Sequence, residues 1–324
     1  MSPAELKQVS LRIMGAALSA ADPAAAVRRN LAAAGQWFTV CGREHRPTGS
    51  LTLAAVGKAA SGMADAALEV LGPRLSKGIV VLPRGYPRTR HPGFEVLEAG
   101  HPVPDEGGLA AAERLSDLAA HLQESDILLL LLSGGGSSLL PLPYPPLSLG
   151  DKIESTQLLL RSGASIQEIN TVRKHLSAIK GGRLAAKTRG TIVTLAISDV
   201  VGDQLAFVSS GPAVPDPTTF ADAADVLARY DLLERVPAAV RTLIAEGVAG
   251  RIPETPKHFL VVSRLTSSPP AVSRWRQQQK KHGARAFQGS CSRRSWRAKP
   301  ARRGGSWHLL PGKCGGMEDR RRRQ

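Results

Sequence analysis

The segment Ile127-Leu-Leu-Leu-Leu-Leu132-Ser-Gly-Gly-Gly-Ser-Ser138 joins six aliphatic residues to a turn of glycines and serines. A short run that is apolar at every position is typical of a strand buried on both faces, as in a parallel sheet. The glycines that follow allow the backbone to turn sharply into a helix. The segment therefore predicts a central strand of an α/β sheet, with a glycine-rich turn at its carboxyl end.

Apolar segments of strand length alternate with helical patterns on both sides of this segment, which favours βαβ units. The predicted strands are Leu51–Val56, Gly78–Leu82, Phe94–Glu98, Asp126–Leu132, Thr191–Ile197 and His258–Val262. Helix starts between them are indicated by Asp22 before Pro23, by Asp105, and by Ser165 with Glu168 as a capping box. The expected fold class is α/β, a doubly wound and mainly parallel sheet in three α/β/α layers, like a Rossmann fold.

Charge divides the chain at Val262. Residues 1–262 hold 26 Lys+Arg and 25 Asp+Glu, whereas residues 263–324 hold 17 and 2, so the C-terminal region carries +15 of the net +16. The nearly neutral region is long enough to bury a sizeable core. We therefore expect an α/β domain at 1–262 and a basic, disordered tail at 263–324.

Cysteine usage and hydropathy exclude several classes of protein. Cys41 is the only cysteine before Val262, so neither a disulfide framework nor a thiolate zinc site is expected there. No run approaches the ~20 apolar residues of a membrane span. The apolar stretch Val9–Ala21 is interrupted by Arg12 and is predicted to be an amphipathic helix rather than a signal peptide. These features predict a cytoplasmic protein without a membrane partner.

The first candidate site follows Val56, because open α/β sheets bind ligands beyond the carboxyl ends of their strands. The sequence Gly57-Lys58-Ala-Ala-Ser-Gly62 begins a helix here, and a lysine at a helix N-terminus favours an anion. It is not a Walker A loop, since Met63 and Ala64 stand where Lys and Ser/Thr are required. Lys58 is a candidate phosphate ligand; the alternative is a lysine that only solvates the helix start.

The glycine-rich turn is the second candidate site. Its backbone N–H groups can cradle an anion and its three hydroxyls can complete the shell, which makes candidates of Ser133, Gly134, Gly135, Gly136, Ser137 and Ser138. The turn is not the dinucleotide fingerprint GxGxxG, because Leu139 occupies the third glycine position. The alternative is that the glycines only permit a tight turn between strand and helix.

Two further segments carry charged candidates. Asp199 and Asp203 follow the predicted strand Thr191–Ile197, and phosphoryl transfer uses carboxylates to hold Mg²⁺ or to accept a proton. Asp199 is the better candidate because it is nearer the strand, whereas Asp203 has the alternative of capping a helix. Arg173 and Lys180 are seven residues apart, which predicts one helical face able to bind a carboxylate or phosphate. A solvated charged stripe is the alternative.

The histidines point away from a metal site. His91 and His101 lie beside prolines in loop-like sequence, and no HExxH motif or i, i+4 pair is present. His175 lies one residue off the Arg173 face and is expected to pack against neighbouring side chains or to cap a helix. The sequence also has no GxSxG motif, so serine-hydrolase chemistry is not expected.

Six motifs, in the same order along the chain, resemble those of the two-domain glycerate 2-kinase family, some of whose members are named hydroxypyruvate reductase. The motifs are AVGKAASGMA (55–64), EAGHPVPDEGG (98–108), LLSGGGSSLLPLP (131–143), INTVRKHLSAIKGGRLA (169–185), ISDVVGD (197–203) and SSGPAVPDPTT (209–219). The resemblance covers nearly all of residues 5–262. It is far more specific than any single motif.

The resemblance implies transfer of the γ-phosphoryl group of ATP, with Mg²⁺, to the 2-hydroxyl of D-glycerate. By position, Lys58 would contact the transferred phosphate, residues 133–138 would line the ligand cleft, and Asp199 would serve as metal ligand or base. Arg173 and Lys180 match the family's basic helix. The alternative activity is an NADH- or NADPH-dependent hydroxypyruvate reductase, against which the broken GxGxxG pattern counts.

The match to the family pattern stops at the segment Phe259–Val262. The resemblance implies a second α/β domain beyond it, the MOFRL domain, whereas this sequence continues as Ser263-Arg-Leu-Thr-Ser-Ser-Pro-Pro270 without periodicity. We hypothesise that residues 263–324 are the coding region of that domain read out of frame. The alternative is a basic arm whose tryptophans stack on nucleic acid.

Overall fold

The computed structural model describes residues 2–75, 77–89, 91–198, 205–258 and 264–267. Its strands are β1 (Leu31–Ala34), β2 (Trp37–Val40), β3 (Arg43–His45), β4 (Leu51–Val56), β5 (Lys77–Pro83), β6 (Phe94–Ala99), β7 (Ile127–Leu132), β8 (Thr191–Ala196) and β9 (Arg264–Ser267). The first three form a small antiparallel sheet, and the other six form a parallel sheet in the order β6-β5-β4-β7-β8-β9. The predicted α/β fold class is confirmed.

The helices are α1 (Pro3–Ala20), α2 (Pro23–Asn30), α3 (Ala60–Leu71), α4 (Glu106–His121), α5 (Gly136–Leu139), α6 (Leu149–Ser162), α7 (Ile166–His175), α8 (Arg183–Ala186), α9 (Phe220–Arg229) and α10 (Ala238–Val248). The predicted caps are present: Asp22 caps α2, Asp105 caps α4, and Ser165 and Glu168 form a capping box on α7. Each cap satisfies backbone N–H groups that have no partner inside the helix.

The strands predicted from apolar runs agree with β4 to β8 within one residue at each end. Most of the predicted strand His258–Val262 lies outside the described residues, and the strand that pairs with β8 is Arg264–Ser267. The small sheet of β1 to β3 was not predicted. Its first strand reads Leu-Ala-Ala-Ala, and alanine is the strongest helix former, so local sequence gives no sign of a strand there.

Helices cover both faces of the parallel sheet. On one face, Met63 and Ala67 of α3 pack in the same core as Leu53 and Leu129. On the other face, α4 packs against the alternate residues of the same strands. Every residue of β4 and β7 is buried, which is why these strands are apolar without interruption. The structure therefore has the three predicted α/β/α layers.

A third core is formed by helices and the loops between them, without strands. It joins α6, α7, α9 and α10 through buried residues that include Leu159, Val172, Phe220 and Leu243. This core connects to the chain that follows β7, because the N–H of Tyr144 donates to the carbonyl of Leu176 at 3.0 Å. The helical core thus holds α6 and α7 beside the turn after β7.

The strand order reverses between β4 and β7. From β4 the chain continues to β5 and β6 on one side, whereas β7 leads to β8 and β9 on the other. The connections that leave these two neighbouring strands therefore diverge. Doubly wound sheets bind ligands in the crevice that forms at such a reversal point, beyond the carboxyl ends of the strands.

Helix α1 forms as predicted but contributes nothing to the cores. None of its residues is buried, and Leu6, Leu11, Ile13, Met14 and Leu18 are each about half exposed or more. Among the described residues, no helix has the length and hydropathy that crossing a membrane requires.

Two matched leucine substitutions test this difference between α1 and α3. Leu18 is 69% exposed in α1, whereas Leu71 is 1% exposed in α3. We expect Leu18→Ala to change the free energy of unfolding by less than about 0.5 kcal/mol and Leu71→Ala to lower it by about 2–5 kcal/mol. Urea denaturation followed by circular dichroism measures both. If Leu18→Ala lowered the free energy of unfolding as much as Leu71→Ala does, α1 would be shown to pack on the domain.

Candidate active site

Hydrogen bonds join the turns that follow β4 and β7. The N–H of Ser133 donates to the carbonyl of Val56 at 2.9 Å, and the N–H of Lys58 donates to the carbonyl of Gly134 at 2.9 Å. The Ser133 hydroxyl also accepts the N–H of Ala59 at 3.1 Å. Ser133 is 3% exposed. The structure thus places Ser133 between the two turns, where it fixes the position of Lys58 relative to the glycines.

Close packing of the glycine-rich turn leaves little room for side chains. Gly135 has a φ of +97°, and a Cβ added there would lie 3.1 Å from the imidazole Cδ2 of His101. A Cβ at Gly136 would overlap the hydroxyl oxygen of Ser209. Glycine at 135 is required by the left-handed backbone as well as by the contact. The turn is therefore held between other segments of the chain on two sides.

The hydroxyls of the turn make different contacts. The Ser137 and Ser210 hydroxyls are 2.9 Å apart, and Ser210 donates in turn to the side-chain oxygen of Asn170 at 2.9 Å. The Ser138 hydroxyl donates to the carbonyl of Gly135 at 3.0 Å. Ser137 and Ser138 both line a cleft on the side of the turn that faces α6 and α7. These hydroxyls are thus positioned by the protein at the wall of the cleft.

Lys58 and His101 both lie next to Gly135. The added Cβ that would contact His101 would also lie 3.5 Å from Cγ of Lys58. Burial lowers the pKa of His101, and the neighbouring Lys58 charge lowers it further, so the imidazole is held in its neutral form at neutral pH. Sequence analysis placed His101 in a loop without a role. Only the fold brings it to the turn, since the two segments are 34 residues apart.

Arg173 and Lys180 both line the cleft, but they do not share a helix. Helix α7 ends at His175, and Lys180 lies in the turn beyond it. The prediction of one helical face was therefore wrong. The chain leaves the helix because Ser177 pairs with Pro143 in an isolated bridge and Gly181 and Gly182 follow with positive φ. The two side chains still reach one cleft, from different directions.

Lys180 is buried in the cleft and Arg173 is partly buried. Lys180 is 2% exposed, and its ammonium donates to the carbonyl of Ser137 at 3.0 Å. Burial, with the nearby Arg173 charge, lowers the pKa of Lys180 to about 7. Burial also lowers the pKa of Arg173, although a guanidinium remains charged at neutral pH. The low dielectric of the site strengthens any interaction with an anion that enters it.

Lys152 of α6 is a further cation of the cleft that sequence analysis did not select. It is 6% exposed and donates to the carbonyl of Leu142 at 3.3 Å. Burial lowers its pKa well below the usual value, with smaller contributions from Lys180 and Arg173. The signal in the sequence was its spacing: Lys152 falls on the helical stripe that also holds the buried residues Leu149 and Leu159.

Other basic residues of the same region have structural partners. Lys174 forms an ion pair of 3.0 Å with Asp216, and both side chains are almost fully buried. Burial opposes ionisation of Asp216, but Lys174 and Thr218 outweigh it and hold its pKa below the usual value. The Arg183 guanidinium donates to the carbonyls of Lys174 and Ser177. Lys174 and Arg183 therefore fix the fold around the cleft.

Asp199 and Asp203 lie outside the described residues, so their predicted roles stay predictions. Of the motif ISDVVGD (197–203), the structure describes only Ile197 and Ser198, which directly follow β8. Within the described ranges, no three His, Cys, Asp or Glu side chains are grouped so that they could hold a metal ion. The assignment of Mg²⁺ to Asp199 therefore rests on the sequence.

Comparison with known proteins identifies the family. Residues 9–245 match the family described as a domain of unknown function, DUF4147. The chain belongs to the DUF4147 family. It is 41% identical over 270 residues to a glycerate 2-kinase of Pyrococcus horikoshii and 42% identical over 258 residues to a D-glycerate 2-kinase of Thermotoga maritima. These alignments cover 81% and 79% of this chain, so the predicted resemblance to glycerate 2-kinases is confirmed.

Two solved structures have the same fold as this chain. A crystal structure of a Pyrococcus horikoshii protein superposes with a TM-score of 0.76 at 41% identity, and the glycerate kinase of Thermotoga maritima with 0.72 at 38% identity. They cover 84% and 87% of this chain. The chain spans only 61% and 57% of the two sequence relatives, and 63% and 64% of the two solved chains.

Substitution of Gly135 tests whether the turn must approach its neighbours. Gly163 has a similar backbone, with a φ of +81°, but open space around it, so Gly163→Ala controls for the left-handed conformation. We expect Gly163→Ala to cost about 1 kcal/mol of stability, and Gly135→Ala to cost more because His101 must also move. Thermal unfolding of the two variants measures the difference. Equal losses of stability in the two variants would show that Gly135 is required only for its left-handed backbone conformation.

Proposed function

We propose that this chain binds ATP and D-glycerate as a glycerate 2-kinase, for transfer of the γ-phosphoryl group to the 2-hydroxyl of glycerate. One observation carries the proposal: buried cations lie beside the glycine-serine turn, which follows β7 at the point where the strand order reverses. The chain is also about 40% identical to proteins named for this activity. Phosphoryl transfer depends mainly on positioning and on stabilising negative charge. The groups at this cleft supply both.

Each group has a separate role in the proposal. Lys58 is exposed at the end of β4 and contacts the phosphoryl group in transfer, since its backbone is fixed by the hydrogen bond to Gly134. Ser137 and Ser138 orient phosphate oxygens at the wall of the cleft. The planar guanidinium of Arg173 binds a phosphate or carboxylate through two parallel hydrogen bonds. All three roles require the turn after β7 to remain rigid.

Mg²⁺ would neutralise phosphate charge when bound, and carboxylate oxygens are its usual protein ligands. The polar part of the cleft lining consists of cations, hydroxyls and the Gln157 amide, with no carboxylate among the described residues. Such a lining fits the phosphates and does not fit a metal ion. We therefore propose Asp199 as the metal ligand or base and Asp203 as a substrate or phosphate ligand, as the sequence predicts. A cytoplasmic location is likewise proposed from the sequence.

The alternative activity is that of a hydroxypyruvate reductase. It is favoured by the name of a relative from Agrobacterium vitis, which is 44% identical over 269 residues that cover 81% of this chain and 56% of that protein. A dinucleotide pyrophosphate needs close backbone approach at GxGxxG, whereas Leu139 stands at the third position and is fully buried in α5. The proposal for the kinase is therefore preferred.

An assay of ADP release tests the kinase. Incubation with D-glycerate and MgATP should release ADP only when both substrates are present. We expect Lys58→Met to lower kcat/KM by about 10²–10³-fold, the range found when one group that stabilises transition-state charge is removed. Lys77→Met is the matched control, because Lys77 is exposed at the opposite end of the neighbouring strand β5 and should have no effect.

Two outcomes would contradict the proposal. ADP release that does not depend on D-glycerate, or that is absent altogether, rejects glycerate kinase activity for this chain. Oxidation of NADH or NADPH by hydroxypyruvate, measured at 340 nm on the same preparation, would establish the alternative.

A further inference from the structure

The loop that joins β6 to α4 is held in a tight turn by Asp105. The Oδ1 atom of Asp105 accepts the N–H of Gly100 and the N–H of Gly108, both at 2.9 Å, and the carboxylate also forms an ion pair with Arg84. A Cβ added to Gly100 would overlap the backbone of the same loop, so the chain folds back closely on itself. The position of His101, within this loop, is therefore fixed by the fold.

The imidazole of His101 packs against Gly135, close to Lys58. A Cβ added to Gly135 would lie 3.1 Å from Cδ2 and 3.2 Å from Nε2 of the imidazole, and 3.5 Å from Cγ of Lys58. The ring is half-buried, and neither of its nitrogens makes a hydrogen bond to the part of the chain that the structure describes. His101 thus brings two unpaired ring nitrogens to the glycine-rich turn beside Lys58.

The surroundings of His101 favour an uncharged ring. Burial lowers the pKa of His101, and the Lys58 charge lowers it further. The turn after β7 faces the ring with glycines and hydroxyls, and the acidic side chain of its own loop, Asp105, is paired with Arg84. A neutral imidazole keeps a lone pair on one of its nitrogens. His101 can therefore accept a proton at neutral pH.

Transfer of a phosphoryl group to a hydroxyl needs a group that takes the hydroxyl proton. The hydroxyl oxygen must approach phosphorus to about 3–3.5 Å before it reacts, so the proton acceptor has to lie close to the phosphoryl group. In the proposed kinase that place is marked by Lys58, and His101 lies beside it. The cations of the cleft are less suited, because the Arg173 guanidinium has no acceptor atom and Lys180 donates to the carbonyl of Ser137.

We propose that His101 is the general base: it takes the proton from the substrate hydroxyl that attacks the phosphoryl group at Lys58. In this step the O–H bond breaks, and its proton passes to the lone pair of the imidazole. The hydroxyl oxygen forms the new bond to phosphorus, and the bond from phosphorus to the β-phosphate oxygen breaks, with its electron pair leaving on ADP. His101 then returns the proton to solvent, and Asp199 keeps the role of metal ligand. The inference rests on the proposed function for the identity of the reaction.

His101→Gln is the direct test, because glutamine keeps a polar side chain of similar reach but has no nitrogen that titrates. We expect kcat for ADP release by the full chain to fall by about 10²–10⁴-fold, the usual contribution of a positioned general base. The KM values for ATP and D-glycerate should change by less than about threefold, since the base acts in the transition state. His121→Gln is the control. His121 is exposed at the C-terminal end of α4, so its substitution should change neither kcat nor KM.

The pH profile distinguishes a base from a residue that only supports the fold. Protonated His101 cannot accept a proton, so kcat/KM of the unsubstituted chain should fall as the pH decreases through the pKa of His101. Because burial and Lys58 lower that pKa, the fall should occur below about pH 6.5. In His101→Gln this decrease at acid pH should disappear. A lower rate with the decrease retained would show a structural role and would overturn the proposal.

Titration of the histidine ring protons by NMR tests the geometry without catalysis. The His101 signal is assigned by its absence from the spectrum of His101→Gln. Lys58→Met removes the neighbouring charge and should raise the pKa of His101. Lys77→Met removes an exposed charge at the start of β5 and should leave that pKa unchanged. The same His101 pKa in both lysine variants would show that the imidazole does not lie beside Lys58, which the proposal requires.

His101→Ala is a second variant in case the glutamine variant does not fold. Alanine leaves room for a small molecule beside Gly135, so added imidazole should restore part of kcat. The gain should follow the neutral fraction of the imidazole as the pH rises, because only the neutral form accepts a proton. The same imidazole should not raise the rate of the unsubstituted chain. A folded His101→Ala variant that keeps its full kcat without imidazole would contradict the role of His101 as base.

These results separate failure of the base from failure of the kinase. ADP release that requires D-glycerate and is unchanged in His101→Gln would establish the kinase and reject His101 as its base. A chain that releases no ADP would reject both the kinase and its base, even where the NMR titration places the imidazole beside Lys58.

Discussion

The pairing of β4 with β7 is the constraint on which the rest of the site depends. Val56 is the register partner of Leu132, so two strands that are far apart in sequence end at the same level of the sheet. Their connections then diverge, because β5 and β8 lie on opposite sides. The turns must therefore bond to each other directly, through Lys58, Ser133 and Gly134, rather than through a helix packed between them.

The region from α6 to α8 shows how one fold can use cations for two purposes. Lys174 and Arg183 are satisfied by Asp216 and by backbone carbonyls, and such satisfied groups hold the fold in one arrangement. Among the described residues, no carboxylate forms an ion pair with Lys152, Arg173 or Lys180, and burial lowers the pKa of all three. Buried cations without carboxylate partners are costly to the fold, whereas paired ones such as Lys174 are not left uncompensated.

Sequence analysis could predict the layers and strands because they follow local patterns. Uniformly apolar runs mark β4 and β7, and capping residues mark α2, α4 and α7. It failed where tertiary contacts decide: Leu31–Ala34 is an alanine-rich strand, and the helix of Arg173 ends before Lys180 because Ser177 pairs with Pro143. His101 reaches Gly135 only through the fold. When a site is formed by several segments, no single spacing of residues in the sequence can predict it.

Binding and transfer place different demands on this chain. The residues that line the cleft lie between Pro102 and Lys180, well inside the region 9–245 that matches the family. In the proposed kinase, binding of phosphate would use groups that the described chain already brings together. Transfer would also require the glycerate hydroxyl, the phosphate and Lys58 to be aligned, and loss of alignment costs rate more than affinity.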